Sequence, residues 1–306
     1  MTAPPPGRVA LVLSVAVAAV SLAAIFIRLA DAPGVVVAWW RMAIAALVLA
    51  PVALRALRRT PLSRSTLLPT AAAGVLLGVH FATWISSLSY TSVAASVALV
   101  STTPLWVALL SWAFLKQAPT LSVLVGVLLA VAGGAVIGFG DALGTTASAT
   151  ATAPLLGDAL ALVGAMAVAG YLLLGRVAQR RGLSIDAYAG VAYAVAALVL
   201  LPVPWLAGAS YLAYPPATFA WIVALALVPQ LVGHTGINYA MRHLDPTRVA
   251  TATLLEPVGA GLLAFLVFAE VPSAVTLIGA SVLLLGVVLT VRTGRAGPRP
   301  VRRGPL

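Results

Sequence analysis

Cysteine is absent from the chain, which excludes a disulfide framework, a thiolate metal site and a cysteine nucleophile together and leaves the redox compartment unread. Charge is nearly as scarce. Only 8% of the 306 residues are Asp, Glu, Lys or Arg, against roughly 25% in a soluble domain, while 62% are hydrophobic. That balance excludes an ordinary soluble enzyme. Seven acidic residues face 18 basic ones, for a formal net charge of +11. The arginines stand between apolar runs and at the C-terminal end rather than along one face, so nucleic acid is not the expected partner. Positive-inside orientation in a lipid bilayer explains them better. Also missing are a Gly-rich phosphate loop closed by Lys and a HExxH pair, so no nucleotide, metal or other cofactor is expected.

What is present in quantity is long apolar runs. A span of hydrocarbon needs roughly 20 apolar residues, and ten such runs follow one another at about 9–29, 34–54, 67–88, 93–115, 120–140, 157–178, 187–206, 217–240, 248–268 and 273–291. Each is expected to be helical, because backbone in lipid must satisfy its own hydrogen bonds. The first run is longer than the apolar part of a secretory signal and is read as a retained helix. A Thr/Ala/Ser-rich stretch (GTTASATATAP) between spans five and six reads as a connector. The expected organisation is a first repeat over 1–140, an extracytoplasmic linker over 141–156, a second repeat over 157–292 and a basic cytoplasmic tail over 293–306.

Basic residues test the count, since they should gather in alternate loops. Arg55, Arg58, Arg59 and Arg64 follow span two, Lys116 span four, and Arg176, Arg180 and Arg181 span six. Arg242 and Arg248 flank the loop after span eight, and Arg292, Arg295, Arg299, Arg302 and Arg303 follow span ten, all on the side of Arg8. The opposite loops hold only Arg28. Both termini are therefore expected in the cytoplasm, in a multi-pass protein of the cell's inner membrane. Shifting the sequence by 153 positions lays Pro104 on Pro257, Pro119 on Pro272, Gly126 on Gly279 and Gly133 on Gly286. Corresponding loops then carry opposite charge bias, as they must when an odd number of spans inverts the second copy. The expected fold is all-α, ten transmembrane helices in two inverted five-helix repeats, a recurring transporter design.

Two passages carry a resemblance to a known family. The first is SLAAIFIRLADAPGVVVAWWRMAIAALVLAP, which includes Arg41. The second is LEPVGAGLLAFLVFAEVPSAVTLIGASVLLLGVVL, with Glu256, Pro257, Glu270, Gly279 and Gly286. They resemble the EamA-type transporters of the drug/metabolite transporter superfamily, over nearly the whole chain in two copies. The resemblance implies a ten-helix carrier with cytoplasmic ends and a central cavity, often an exporter of amino acids, related metabolites or drugs. The first copy departs from the pattern: Thr103 stands where the second has Glu256, and Lys116-Gln117 where the family often has Glu.

Ionisable groups inside spans are costly, which makes Arg41, His80, His234 and Glu256 candidates for a solute pathway. Glu256 precedes Pro257, which lacks the donor that would serve the carbonyl of Thr253; an acid beside a broken helix suits a proton or cation. Arg41, preceded by Trp39 and Trp40, differs from Glu256 in depth by roughly 10 Å. It can pair with Glu256, bind a solute carboxylate, or snorkel outward. Gln230, His234 and Asn238 recur every four residues as a polar stripe, lining a cavity or bonding to neighbouring helices. His80 and Trp84 are one turn apart; the tryptophan either stacks on a solute or anchors at the interface. Thr103 and Ser96 lead into Pro104, and with Pro257 these prolines are candidate helix breaks. Small-xxx-small pairs, Gly74/Gly78 and Gly134/Gly138, read as packing sites. Trp205, Tyr211 and Tyr214 read as an aromatic belt.

The functional expectation is a secondary transporter exporting small metabolites such as amino acids by alternating access, with possible proton linkage through Glu256, as a monomer or homodimer. Two other classes remain open. An intramembrane hydrolase needs a serine beside His80 or His234, and neither is flanked by G-x-S-x-G. A passive channel needs no conformational cycle.

Overall fold

The computed structural model describes residues 6–115, 120–142, 152–243, 249 and 252–293. Lys116, Gln117, Pro119, Arg248, most of the 141–156 linker and the basic tail beyond 293 lie outside them. With no solvent partners for its backbone in lipid, the chain uses helix throughout, and every regular element among the described residues is helical. We number the spans α1 to α10. The first repeat holds α1 (Pro6–Ser21 and Ala23–Ala30), α2 (Gly34–Arg59), α3 (Arg64–Ser87), α4 (Val93–Val100 and Thr103–Leu115) and α5 (Leu121–Ala142). The second holds α6 (Pro154–Arg180), α7 (Ile185–Leu200), α8 (Pro216–Leu225, Ala226–His234 and Thr235–His243), α9 (Leu255–Phe268) and α10 (Ala274–Thr293). Seven of these spans are long and apolar enough to cross a membrane unaided, and three shorter apolar stretches, 121–137, 255–268 and 274–289, complete the ten. The protein is an all-α membrane protein of two inverted five-helix repeats.

Several spans are interrupted, two of them close to the prolines expected to break them. The chain turns at Ser101 and Thr102 in α4 and at Leu254 before α9, positions that differ by 153 or 152 in the repeat register. Pro104 and Pro257 therefore sit inside the first turn after each break rather than at it. The reason is that proline is tolerated where a helix has no use for the missing N–H. At the α4 break, hydroxyls add bonds to the carbonyls of the preceding turn: Ser101 donates to Val97 O at 2.7 Å, Thr102 to Leu99 O at 2.6 Å and Thr103 to Val100 O at 2.7 Å. In α8, Pro229 lies within a nine-residue π-helical segment, Ala226–His234, where the ladder slips by one residue and Thr235 N–H donates to Gln230 O.

Packing follows the inverted symmetry. α5 lies on α10 and α2 on α7, while α3 on α6 is repeated as α8 on α1. The α5–α10 seam is made by glycines. A Cβ on Gly133 would stand 2.5 Å from Gly279 O, and one on Gly279 would stand 2.8 Å from Gly133 O. The 153-residue shift turns the pair Gly133–Gly279 into Gly286–Gly126, and a Cβ on Gly286 does meet Gly126 O. The seam thus maps onto itself and lies on the pseudo-twofold axis. Elsewhere small residues do the same work: Gly74 abuts Val195 and Ala192 O of α7, and Gly134 meets Leu99.

Candidate functional site

Burying arginine in a membrane protein is expensive unless its donors are met. Arg41 on α2 is nonetheless 0% exposed. Its Nε donates to Oε1 of Gln230 at 2.9 Å, and its guanidinium lies 4.0 Å over the ring of Phe81 on α3. Among the described residues, Nη1 and Nη2 have no hydrogen-bond partner, and neither does Nε2 of the bonded Gln230. The cluster is therefore a buried cation with three unused donors around it. No carboxylate stands within ion-pair distance of Arg41 among the described residues. Glu256 is half-buried on α9 and forms no ion pair with it among the described residues.

The cluster lies on the axis of the molecule. Phe81 meets the ring of His234 edge to face, with centroids 5.7 Å apart, and 81 and 234 are register equivalents. This contact, like the glycine seam, maps onto itself. The chemistry around it does not. The register partners of Arg41, Gln230 and Glu256 are Ala194, Leu77 and Thr103, so a symmetric frame carries a one-sided polar site.

Other expected residues take more ordinary places. His80 Nδ1 donates to Gly164 O at 2.9 Å, since a carbonyl can only accept, and its ring stacks on Trp84 at 5.8 Å. Trp84 is 3% exposed, which rules out an interfacial anchor; its Nε1–H has no partner. Asn238 Nδ2 donates to the Tyr171 hydroxyl at 3.3 Å. The stripe of Gln230, His234 and Asn238 is divided, because the π segment changes the helical phase: Gln230 serves Arg41, His234 serves Phe81 and Asn238 serves α6. Thr103 spends its hydroxyl on its own helix, and Thr253 is half-buried before α9. Trp39 belongs to an aromatic wall with Trp40 and Tyr211, at 4.6 and 5.0 Å between centroids. Trp40 Nε1 pins that wall by donating to Tyr211 O at 2.9 Å. Tyr211 is thus part of this wall, while Trp205 stays exposed. Neither His80 nor His234 is hydrogen-bonded to a serine among the described residues.

Sequence reasoning missed Phe81 and the buried tyrosines of α6 and α7. Tyr188 and Tyr193 are among the largest fully buried side chains. Tyr188 donates to Tyr171 O at 3.1 Å, and Tyr193 approaches Thr235 Oγ1 at 3.5 Å. A signal existed for Phe81, because the 153-residue shift pairs it with His234.

Comparison with known proteins agrees with this geometry. The model of the EamA-like transporter family matches residues 6–139 and 155–292. A protein named "Probable terminal-alkyne amino-acid exporter" from Streptantibioticus cattleyicolor is 30% identical over 209 residues, 67% of each chain. An "Uncharacterized transporter" from Archaeoglobus fulgidus is 31% identical over 75 residues, 24% of this chain and only 28% of its own length. A solved crystal structure superposes over 96% of this chain and 100% of its own, with a TM-score of 0.62 at 19% identity, a likeness of fold alone. Two matched repeats, an inverted ten-helix frame and a buried polar centre lead to one statement: this chain belongs to the EamA-like transporter family.

Proposed function

We propose that the chain is a secondary transporter that exports small carboxylate-bearing metabolites such as amino acids across the cell's inner membrane, with both termini in the cytoplasm. The observation that carries this reading is the buried Arg41–Gln230 pair with three donors left over. Every unused atom there is a donor, and a carboxylate is a group of acceptors only. Two parallel N–H···O bonds from a guanidinium give geometry as well as energy, and Gln230 Nε2 offers a third contact beside them. The relative named as an amino-acid exporter supports the same class.

Alternating access is supported by the frame. Two inverted copies that exchange conformations open a site on their shared axis to opposite sides in turn, and the Arg41 cluster is on that axis. Glu256, in the first turn of α9 beside Pro257, is in this reading the acid through which proton linkage runs.

The test is solute flux in proteoliposomes with and without a pH gradient, beside thermal stabilisation of the purified protein by a panel of amino acids, carboxylic acids, polyamines and cationic drugs. A ligand of the folded state raises its apparent stability. Carboxylate solutes should stabilise the wild type and fail on Arg41→Gln. Stabilisation by cations alone would overturn the solute class. Flux independent of the gradient and unchanged in Glu256→Gln would remove the proton linkage and leave the carrier.

A further inference from the structure

The ion pair found among the described residues lies far from Arg41, at the end of the bundle where α1 meets α2. Arg28 pairs with Glu270, and it is embedded: the two side chains are 10% and 5% exposed. The rest of the arginine fork is also used. Nε donates to Leu88 O at 3.3 Å, Nη2 donates to Thr91 O at 2.9 Å, and the guanidinium sits 5.9 Å from the Phe268 ring. Glu270 spends its other oxygen on the Val93 N–H at 2.8 Å, the N-terminus of α4. Arg28, Leu88, Thr91 and Val93 belong to the first repeat and Glu270 to the second. One carboxylate thus ties α1, the α3–α4 loop and the start of α4 to the end of α9.

The backbone is bent to allow it. Ala269, which places Glu270, has φ 52, a left-handed conformation costly for any residue with a Cβ. Strain of this kind persists where the surroundings impose it, and it gathers at clamps and switches. The same end is held by further bonds, from the linker residue Ala153 N–H to Tyr90 O at 3.2 Å and, between repeats, from Trp40 to Tyr211 O.

Symmetry then exposes an imbalance. The register partner of Arg28 is Arg181, also an arginine between repeats at the opposite end, where it donates to the Ser65 carbonyl. The register partner of Glu270 is Gln117, a neutral residue outside the described ones. In a carrier whose halves exchange conformations, the contact made at one end is exchanged for its register equivalent at the other. In the repeat register, the carboxylate of this charge-assisted clamp is matched by a neutral side chain.

We propose that Arg28 and Glu270 are the positioning residues of the transport cycle: their pair latches the extracytoplasmic end, and its one-sidedness makes the resting carrier face the cytoplasm. The inference rests on the alternating-access reading and the orientation given above. The latch favours loading from inside, the bias an exporter needs.

The absence of cysteine permits a direct measurement. Spin labels on Ser89→Cys and Val271→Cys, exposed residues on either side of the latch, report the separation of the repeats at this end by double electron–electron resonance. Wild type should show a dominant short distance and a minor long one that grows on adding a neutral amino acid, L-leucine, as the probe solute. Glu270→Gln keeps the shape and acceptor oxygen but removes the charge. Hydrogen bonds to charged groups are the stronger class, so the long-to-short ratio should rise about ten-fold or more. Arg28→Lys, which keeps the charge but loses the fork, should give a smaller rise. Two wild-type distances that respond to solute, with a ratio unmoved in a folded Glu270→Gln, overturn the latch and spare the carrier. A single wild-type distance under all conditions overturns both.

Discussion

Phe81 is the floor on which Arg41 rests, and its removal has a calculable effect. Leucine in its place leaves an apolar side chain but takes away the π face 4.0 Å below the guanidinium. In a desolvated site that attraction is worth about 2 kcal/mol, or about 30-fold in a dissociation constant. The guanidinium, held then by Gln230 alone, no longer presents Nη1 and Nη2 in one fixed plane. The assay is the solute-dependent rise in thermal midpoint of purified protein, titrated with a carboxylate solute to give Kd. Phe81→Leu should weaken Kd by at most that factor, because the contact exists before solute binds, while Phe81→Tyr, which keeps the ring face, should stay near wild type. Leu77→Ala, one turn away and 1% exposed, controls for packing: it should lower the midpoint without moving Kd. If Phe81→Leu and Leu77→Ala lose similar stability and bind solute equally well, the ring does not orient the arginine and the reasoning fails.

Gln230→Glu should separate stability from binding. It offers Arg41 a permanent carboxylate, raising the thermal midpoint, and abolishes solute-induced stabilisation because the site then contains its own anion. Gly279→Val should lower the midpoint and the yield of monodisperse protein. Its Cβ would stand 2.8 Å from the carbonyl of Gly133, backbone that cannot rotate aside, and overpacking of this kind costs about 1–3 kcal/mol. Orientation is checked with Ser210→Cys and Ser63→Cys, both exposed and at opposite ends of the bundle. An impermeant thiol reagent should label the first in intact cells and the second only after permeabilisation; the reverse pattern inverts the topology.

The frame was legible in the sequence because its causes are periodic and coarse: apolar length, alternating basic loops and the repeat shift. α5 and α10 were paired in that register through Gly126, Gly133, Gly279 and Gly286, which the structure brings together. The site was legible only in part. Arg41, Gln230 and Glu256 stood out as polar residues in apolar spans, but partner choice depends on helix phase and neighbourhood. The slip of α8 around Pro229 places Gln230, rather than Glu256, against Arg41. Tyr193 was hidden because an aromatic in an apolar run looks like lipid-facing surface until packing is known, and Phe81 was marked only by its register partner His234. Arg28 and Glu270 were each visible as single residues, but nothing in the sequence joins positions 242 residues apart.

The glycine seam between α5 and α10 has a practical consequence. A contact that its own symmetry returns to itself looks the same before and after the two halves trade shapes. With backbone close against backbone at its glycines, it also has little to repack there. A pair of probes fixed across it should report one constant separation through the whole cycle. It is the molecule's internal ruler, against which displacement anywhere else in the bundle is to be measured.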